Sequence, residues 1–355
     1  MDLLDSADAD GATVANAIAA EAAPDADDAA DAAEIEVDVT TIEGGNESET
    51  GEENEDEDEN GDGSGNGGAG GPTGDETGST DDERGTTDVI SVRLPGTDPH
   101  APRLGILGRL GGVGARPESL GLVSDADGAI VAVAAALHLA ALRRKGDRLP
   151  GDVRIATHVC PDAPTIPHDP VPFMDAPVSV HTLNEHQVDE EMDAILSVDA
   201  TKGNRRHCER GFAITPTVKA GWILQPSPDL LDVQERVTGE PPSTLALSMG
   251  DVTPYGNDVE HVNSIMQPAT ATDVPVVGVA TTSTSAIPGP ASGANYVADL
   301  AAATTFVVET AKDFTRGRAS FYDTEEYDRL VELYGSMERL QTTGDLDDAL
   351  EPGSG

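Results

Sequence analysis

The chain of 355 residues sets 66 acidic side chains against 21 basic ones, a formal charge of −45 with a pI near 4.1. So negative a molecule repels DNA, RNA and anionic membranes, which excludes nucleic acid and membrane surfaces from its expected partners. Two cysteines, Cys160 and Cys208, are too few for a disulfide framework, and no apolar run is both long and uncharged enough to span ~30 Å of hydrocarbon. No secretion signal opens the chain, so a soluble, cytoplasmic protein is expected. Scarce lysine (Lys145, Lys202, Lys219 and Lys312 alone) and abundant alanine point to a halophilic protein. In molar salt the Debye length falls to roughly 3 Å, and repulsion among carboxylates is screened.

Along the chain, Val14, Ala15, Ile18 and Ala19 give one apolar face of a short helix. Ile35, Val37 and Val39 alternate with polar residues, the period of a strand. Residues 1–43 are therefore read as the first helix and strand of the domain. Residues 44–85 are almost wholly Glu, Asp, Gly, Asn, Ser and Thr, too polar to offset the entropy of ordering, and are expected to form a disordered acidic insertion. Val89, Ile90, Val92 and Leu94 form the next strand, so the acidic run reads as a swollen hairpin loop inside the domain, with a tail that precedes the domain as the alternative. Another strand follows at 104–107.

The pattern then becomes strand–helix alternation. A long helix is expected over 128–145, with basic residues in its last turn and Gly146 as its stop. Strands are expected from 153, at 194–198, 212–215, 221–225 and 274–279, and helices at 300–312 and 324–340. Trp222 reads as core. Residues 86–341 thus form one α/β core with three layers, α/β/α, around a central mixed sheet, and 342–355 a disordered tail.

Sheets of this class place ligands at the carboxyl ends of their strands. Acids stand at three such places: Asp125 in Val-Ser-Asp-Ala-Asp-Gly, Asp162 in Thr-His-Val-Cys-Pro-Asp, and Asp199 in Ser-Val-Asp-Ala-Thr-Lys-Gly. His158, His168 and Asp169 lie near the second. Carboxylate and imidazole from successive strand ends are what Zn²⁺ or Mn²⁺ needs. Read alone, Asp125 is equally an N-cap, Asp199 a turn former and His158 a core residue.

The stretch 104–164 resembles the core of the co-catalytic zinc peptidase superfamily, which includes aminopeptidases and carboxypeptidases. The likeness rests on Leu-Gly-Ile-Leu-Gly-Arg-Leu-Gly-Gly-Val-Gly, Ser-Asp-Ala-Asp-Gly-Ala-Ile-Val-Ala-Val and Pro-Gly-Asp-Val-Arg-Ile-Ala-Thr-His-Val-Cys-Pro-Asp-Ala. It implies a zinc-exopeptidase-like (phosphorylase/hydrolase-like) fold. By position, Asp125 resembles the metal-bridging acid, Asp162 the second of two paired acids and Asp199 the later ligand. Tyr255-Gly-Asn-Asp resembles a turn in the last ligand region. Arg109 and Gly111 stand where the first His and Asp belong, Pro161 stands where the general base belongs, and the loop Pro-Gly-Pro-Ala-Ser-Gly-Ala-Asn-Tyr lacks the final His. Arg109 repels a metal at close range, so the dinuclear site of that superfamily is excluded. With Pro-His-Asp-Pro-Val-Pro-Phe-Met, Thr-Lys-Gly-Asn-Arg and Ser-Phe-Tyr-Asp, the core also resembles a prokaryotic family of unknown function, domain of unknown function 1177.

Three readings stay open. In the first, zinc or manganese held by Asp125, Asp162, Asp199 and His158 or His168 activates water for hydrolysis of amide or peptide-like bonds, with a leftover carboxylate as the base. In the second, Cys160 is a nucleophile with His158 or His168 as its base, and Arg109 holds a substrate carboxylate. In the third, a non-catalytic descendant binds a small anionic or peptide-like ligand in the old cleft. Homo-oligomers are compatible with all three.

Overall fold

The computed structural model describes residues 3–4, 9–23, 35–44, 85–109, 126–161, 165–166, 173–174, 176–285 and 295–343. Asp10 caps helix α1 (Gly11–Ala22) by accepting the Thr13 N–H at 2.6 Å, and the helix buries Val14 and Ile18. Strand β1 (Glu36–Glu43) pairs antiparallel with β2 (Thr86–Leu94), Val39 opposite Ile90 and Glu43 opposite Thr86. Next come β3 (Leu104–Gly108), α2 (Asp127–Arg144) and β4 (Val153–Val159). A two-residue pair, β5 (Thr165–Ile166) with β6 (Phe173–Met174), stands apart from the main sheet.

The second half supplies α3 (Val180–Gln187), β7 (Ala194–Thr201), β8 (Gly211–Ile214), β9 (Val218–Lys219), β10 (Trp222–Ile223) and α4 (Pro228–Thr238). It ends with β11 (Val276–Thr282), α5 (Val297–Thr315) and α6 (Thr324–Tyr334). Helix α4 carries clear punctuation: the Ser227 hydroxyl accepts the Leu230 N–H, Pro228 opens the first turn, and Gly239 closes it at φ 71°.

The main sheet runs β1-β2-β4-β3-β7-β11-β9-β10, with β8 also paired to β11. Its centre, β4-β3-β7-β11, is parallel and flanked by antiparallel strands, so the sheet is mixed. Parallel strands covered on both faces read as continuous apolar runs, and Ala-Ile-Leu-Ser-Val in β7 is one. Helices α1, α2, α4 and α5 pack on one face around Ile106, Leu196 and Phe306. Helix α3 and the 3₁₀ segments Gly250–Val252 and Ser264–Thr270 cover the other, around Leu107, Ile195 and Met266. The fold is three-layered, α/β/α. Trp222 departs from expectation: it is only half-buried, its indole N–H donates to Gly335 O at 3.3 Å, and its ring leans on Tyr334.

Candidate functional site

Strands β4, β3, β7 and β11 finish at one edge of the sheet, the edge where such folds hold ligands. The register sets Leu107 beside Ala156 of β4 and Gly108 beside Val198 of β7. Continued along the strands, it puts Arg109 level with both His158 and Asp199, and the Arg109 N–H extends the ladder to Val198 O at 2.8 Å. Neighbours in one cross-strand row share a face, so these three side chains point the same way. The row exists because α2 starts hard against the end of β3. A Cβ on Gly108 would stand 2.4 Å from Gly128 O, and one on Gly128 only 2.2 Å from Arg109 O.

All three side chains are buried, Arg109 to 4% exposure and His158 and Asp199 to 2%. Burial favours the neutral form of each. It drives His158 down to about 3, with the Arg109 charge adding to the effect. It drives Asp199 up to about 7, against the Ala200 N–H and the Arg109 charge. Arg109 falls only to about 10 and stays cationic at neutral pH, supported by Asp199 and Tyr255. Gln187, the last residue of α3, joins two members of the row. Its Oε1 accepts from Arg109 Nη1 at 2.7 Å, and its Nε2 lies 3.3 Å from His158 Nδ1. Because the amide must donate there, the imidazole proton belongs on Nε2.

Asp199 accepts the Ala200 N–H at 2.7 Å and the Ser264 hydroxyl at 3.3 Å. Beside them lies a cavity of about 40 Å³ walled by Asp199, Thr201, Leu245, Val262, Asn263 and Ser264. The loop that delivers Ser264 is pinned by Asp251, which is fully buried and accepts the N–H groups of Ser248 (2.7 Å), Val262 (2.7 Å) and Asn263 (2.8 Å). Burial alone would raise the pKa of Asp251, but bonds from Ser248 and Asn263 outweigh it and hold the carboxyl below its ordinary value. On the same loop Tyr255 turns its hydroxyl to Ser264, and its ring lies 4.7 Å from that of His261.

On the opposite face, at the same rim, the carboxylate beginning α2 is Asp127. It is fully buried and takes the Thr281 hydroxyl, the Asn295 N–H at 2.8 Å and Asn295 Nδ2 at 2.6 Å. Burial raises its pKa, opposed by those bonds. Of the residues read from sequence, the row unites Arg109, His158 and Asp199. Asp125, Asp162, His168 and Asp169 lie outside the described residues. Asp127, Gln187, Ser264, Tyr255, Thr281 and Asn295 had been given no role beyond the Tyr255 turn.

Two roles read from sequence meet physical objections. Burial beside Arg109 holds the His158 imidazole down near 3, which makes it a poor base at neutral pH. Cys160 is 1% exposed with its sulfur 3.4 Å from the Thr87 hydroxyl, the surroundings of a structural thiol rather than of an accessible nucleophile. A divalent cation fits the described residues poorly. Both oxygens of Asp127 already accept protein donors, and Asp199 shares its row with a guanidinium. Among the described residues no three His, Cys, Asp or Glu side chains cluster as metal ligands.

A family model described as "Protein of unknown function (DUF1177)" matches residues 78–344. No curated protein matches the chain. Solved structures similar to it include the bottromycin maturation enzyme BotP, at 19% identity and a TM-score of 0.38 over 65% of this chain and 56% of that one. BotP is also seen in complex with Mn. The cytosol aminopeptidase from Coxiella burnetii matches at 13% identity over 90% of this chain and 67% of its own, with a TM-score of 0.42. The leucyl aminopeptidase from Trypanosoma cruzi matches at 11% over 86% and 60%, also at 0.42. The chain thus spans just over half the length of BotP.

Proposed function

The chain belongs to the DUF1177 family, whose function is unknown, and from the site itself we propose that it binds a small anionic ligand, a carboxylate, at the rim of β4, β3, β7 and β11. One observation carries this reading: a buried guanidinium stands at the end of β3, level with His158 and Asp199. Among the described residues it donates to the neutral amide of Gln187, while Asp199 and Tyr255 support its charge. His158 is uncharged at neutral pH and Asp199 is poised near half-ionisation, so the row carries net positive charge. Such a row repels a metal ion. A carboxylate instead gains paired, charge-assisted hydrogen bonds from the guanidinium fork, strengthened by low local dielectric. The ligand class includes peptide-like carboxylates, and the acidic surface fits a cytoplasm of high salt.

Calorimetric titration of sodium acetate and butyrate into the purified chain tests the proposal. We expect saturable binding of one carboxylate per chain. Arg109→Gln abolishes it, and Arg109→Lys, which cannot form the fork, weakens it by about tenfold or more. No binding, or equal binding by Arg109→Gln, overturns the proposal. The competing reading, a metal-dependent hydrolase, needs Asp125, Asp162 and His168. Elemental analysis of chelator-free protein that finds one or two zinc or manganese ions per chain favours it.

A further inference from the structure

Arginines elsewhere in the chain meet carboxylates: Arg93 bridges Glu36 and Asp152, Arg154 bridges Asp189 and Glu191, and Arg236 bridges Asp313. Arg109 is buried, and among the described residues the side chain it donates to is an amide, that of Gln187 at 2.7 Å. Composition alone makes an acid the expected neighbour, since the chain holds five glutamines against 66 acids. Local sequence says the same, with Glu185, Asp189, Glu190 and Glu191 on either side of Gln187. Asp199 supports the guanidinium's charge from the neighbouring strand, but among the described residues it is not its hydrogen-bond partner.

An amide does at this position what a carboxylate cannot. A guanidinium carries only donors, so Oε1 of Gln187 must face it, and Nε2 is left to donate to His158 Nδ1 at 3.3 Å. A carboxylate would accept on both sides and require a proton on Nδ1. It would also pair its charge with that of Arg109, leaving the guanidinium no net charge to offer a ligand. Gln187 is held in place from outside the row. It is 2% exposed and ends α3, where Asn184 donates through Nδ2 to Gln267 O at 3.1 Å.

Resting on the anion-binding reading above, we infer that Gln187 sets the specificity of the Arg109 site: it positions the guanidinium without neutralising it, so that the row accepts a carboxylate and rejects a cation. Gln187 is a positioning residue, since it touches Arg109 and His158 rather than the ligand. Exchanging its amide for a carboxylate of the same size keeps an acceptor in front of Arg109 and consumes the charge that an anion would use.

The test is Gln187→Glu in the full chain. Acetate, titrated calorimetrically at fixed salt, should bind the variant about 100-fold or more weakly than the parent, with the melting transition retained. A residue that served only as an acceptor would leave the affinity unchanged, so equal binding by parent and Gln187→Glu overturns the inference. Nitrogen-15 spectra of His158, assigned as the signals absent from His158→Gln, give a second readout that requires no substitution at 187. The parent should carry the imidazole proton on Nε2, and Gln187→Glu should carry it on Nδ1. A parent with its proton on Nδ1 overturns the bridge and the inference with it, even where Gln187→Glu fails to fold. If the parent does not bind acetate while its proton sits on Nε2, the anion site falls, its specificity falls with it, and the bridge remains a packing contact.

Discussion

Asp199 feels two opposed pulls: burial raises its pKa to about 7, while the guanidinium in its row draws it down. Its folded-state value lies above the ordinary 3.8, so its proton stabilises the fold fully below about pH 4, and that contribution is lost as pH rises through 7. His158 has the opposite sign. Its folded value near 3 lies below the ordinary 6.5, so its contribution is present above 6.5 and is lost as pH falls toward 3. Between about pH 4 and 6.5 the two slopes oppose each other and nearly cancel. Asp199→Asn removes one of them. Relative to the unsubstituted chain, it should be more stabilising at pH 8 than at pH 5 by about 2 to 3 kcal/mol, at roughly 1.4 kcal/mol per pH unit. Urea unfolding at the two pH values measures this, and an equal effect at both would mean that Asp199 titrates like an exposed acid. Ligand binding carries the same proton: once ionised, Asp199 neutralises Arg109 and repels the carboxylate. Acetate affinity should therefore fall as pH rises through 7, and Asp199→Asn should flatten that dependence.

At the scale of elements, the site depends on how closely α2 approaches the end of β3. Glycine inside a helix ordinarily loses about 0.5–1 kcal/mol relative to alanine, so Gly→Ala usually stabilises. Gly128→Ala should do the reverse, because its Cβ would meet the carbonyl oxygens of Arg109 at 2.2 Å and Val198 at 2.5 Å. We expect a loss of about 1–3 kcal/mol, with acetate binding weakened as Arg109 leaves its row. A melting temperature at or above that of the parent chain would show that α2 does not bear on β3 as described. The elements themselves were largely legible. Apolar periodicity placed the helix at 128–145 and the structure has Asp127–Arg144; it placed a strand at 194–198 and the structure has Ala194–Thr201. The terminal helix was read too long, because Gly335 at φ 81° ends α6 before the 3₁₀ turn Glu338–Gln341. Helix α3 went unread because eight mostly polar residues carry little periodicity, yet it delivers Gln187. The Ser264–Thr270 segment, with Pro268 inside it, has no helical signature at all, yet it delivers Ser264. Asp199 was found because strand ends are recognisable in sequence, and Arg109 because it stands where the family resemblance places a His. Gln187 and Ser264 were not, because packing alone brings them there. Asp125, read from motif alignment, lies outside the described residues; among those described, the buried acid at the start of α2 is Asp127, held by Thr281.

For the whole molecule, the charge of −45 opposes compaction, and its distribution suggests where that strain can be relieved. Residues 45–84 join β1 to β2 and hold 15 acids against Arg84, a net −14. The strands they join are already in register, and the Gly44 N–H donates to Gly85 O at 3.1 Å where the stretch leaves and returns. Replacing 45–84 with Asn-Gly, the two-residue turn whose twist suits an antiparallel pair, should therefore leave the sheet intact. Shortening a connection of this size saves about 2 kcal/mol of closure entropy by the logarithmic rule. The formal charge falls from −45 to −31, so less salt is needed to screen what remains. The shortened chain should reach half-folding at a lower potassium chloride concentration than the full chain, with carboxylate binding at Arg109 unchanged. Circular dichroism followed against salt gives both midpoints. An unchanged midpoint would place any response to salt in the acids outside this stretch. A chain that no longer folds at any salt concentration would mean that residues 45–84 supply packing of their own.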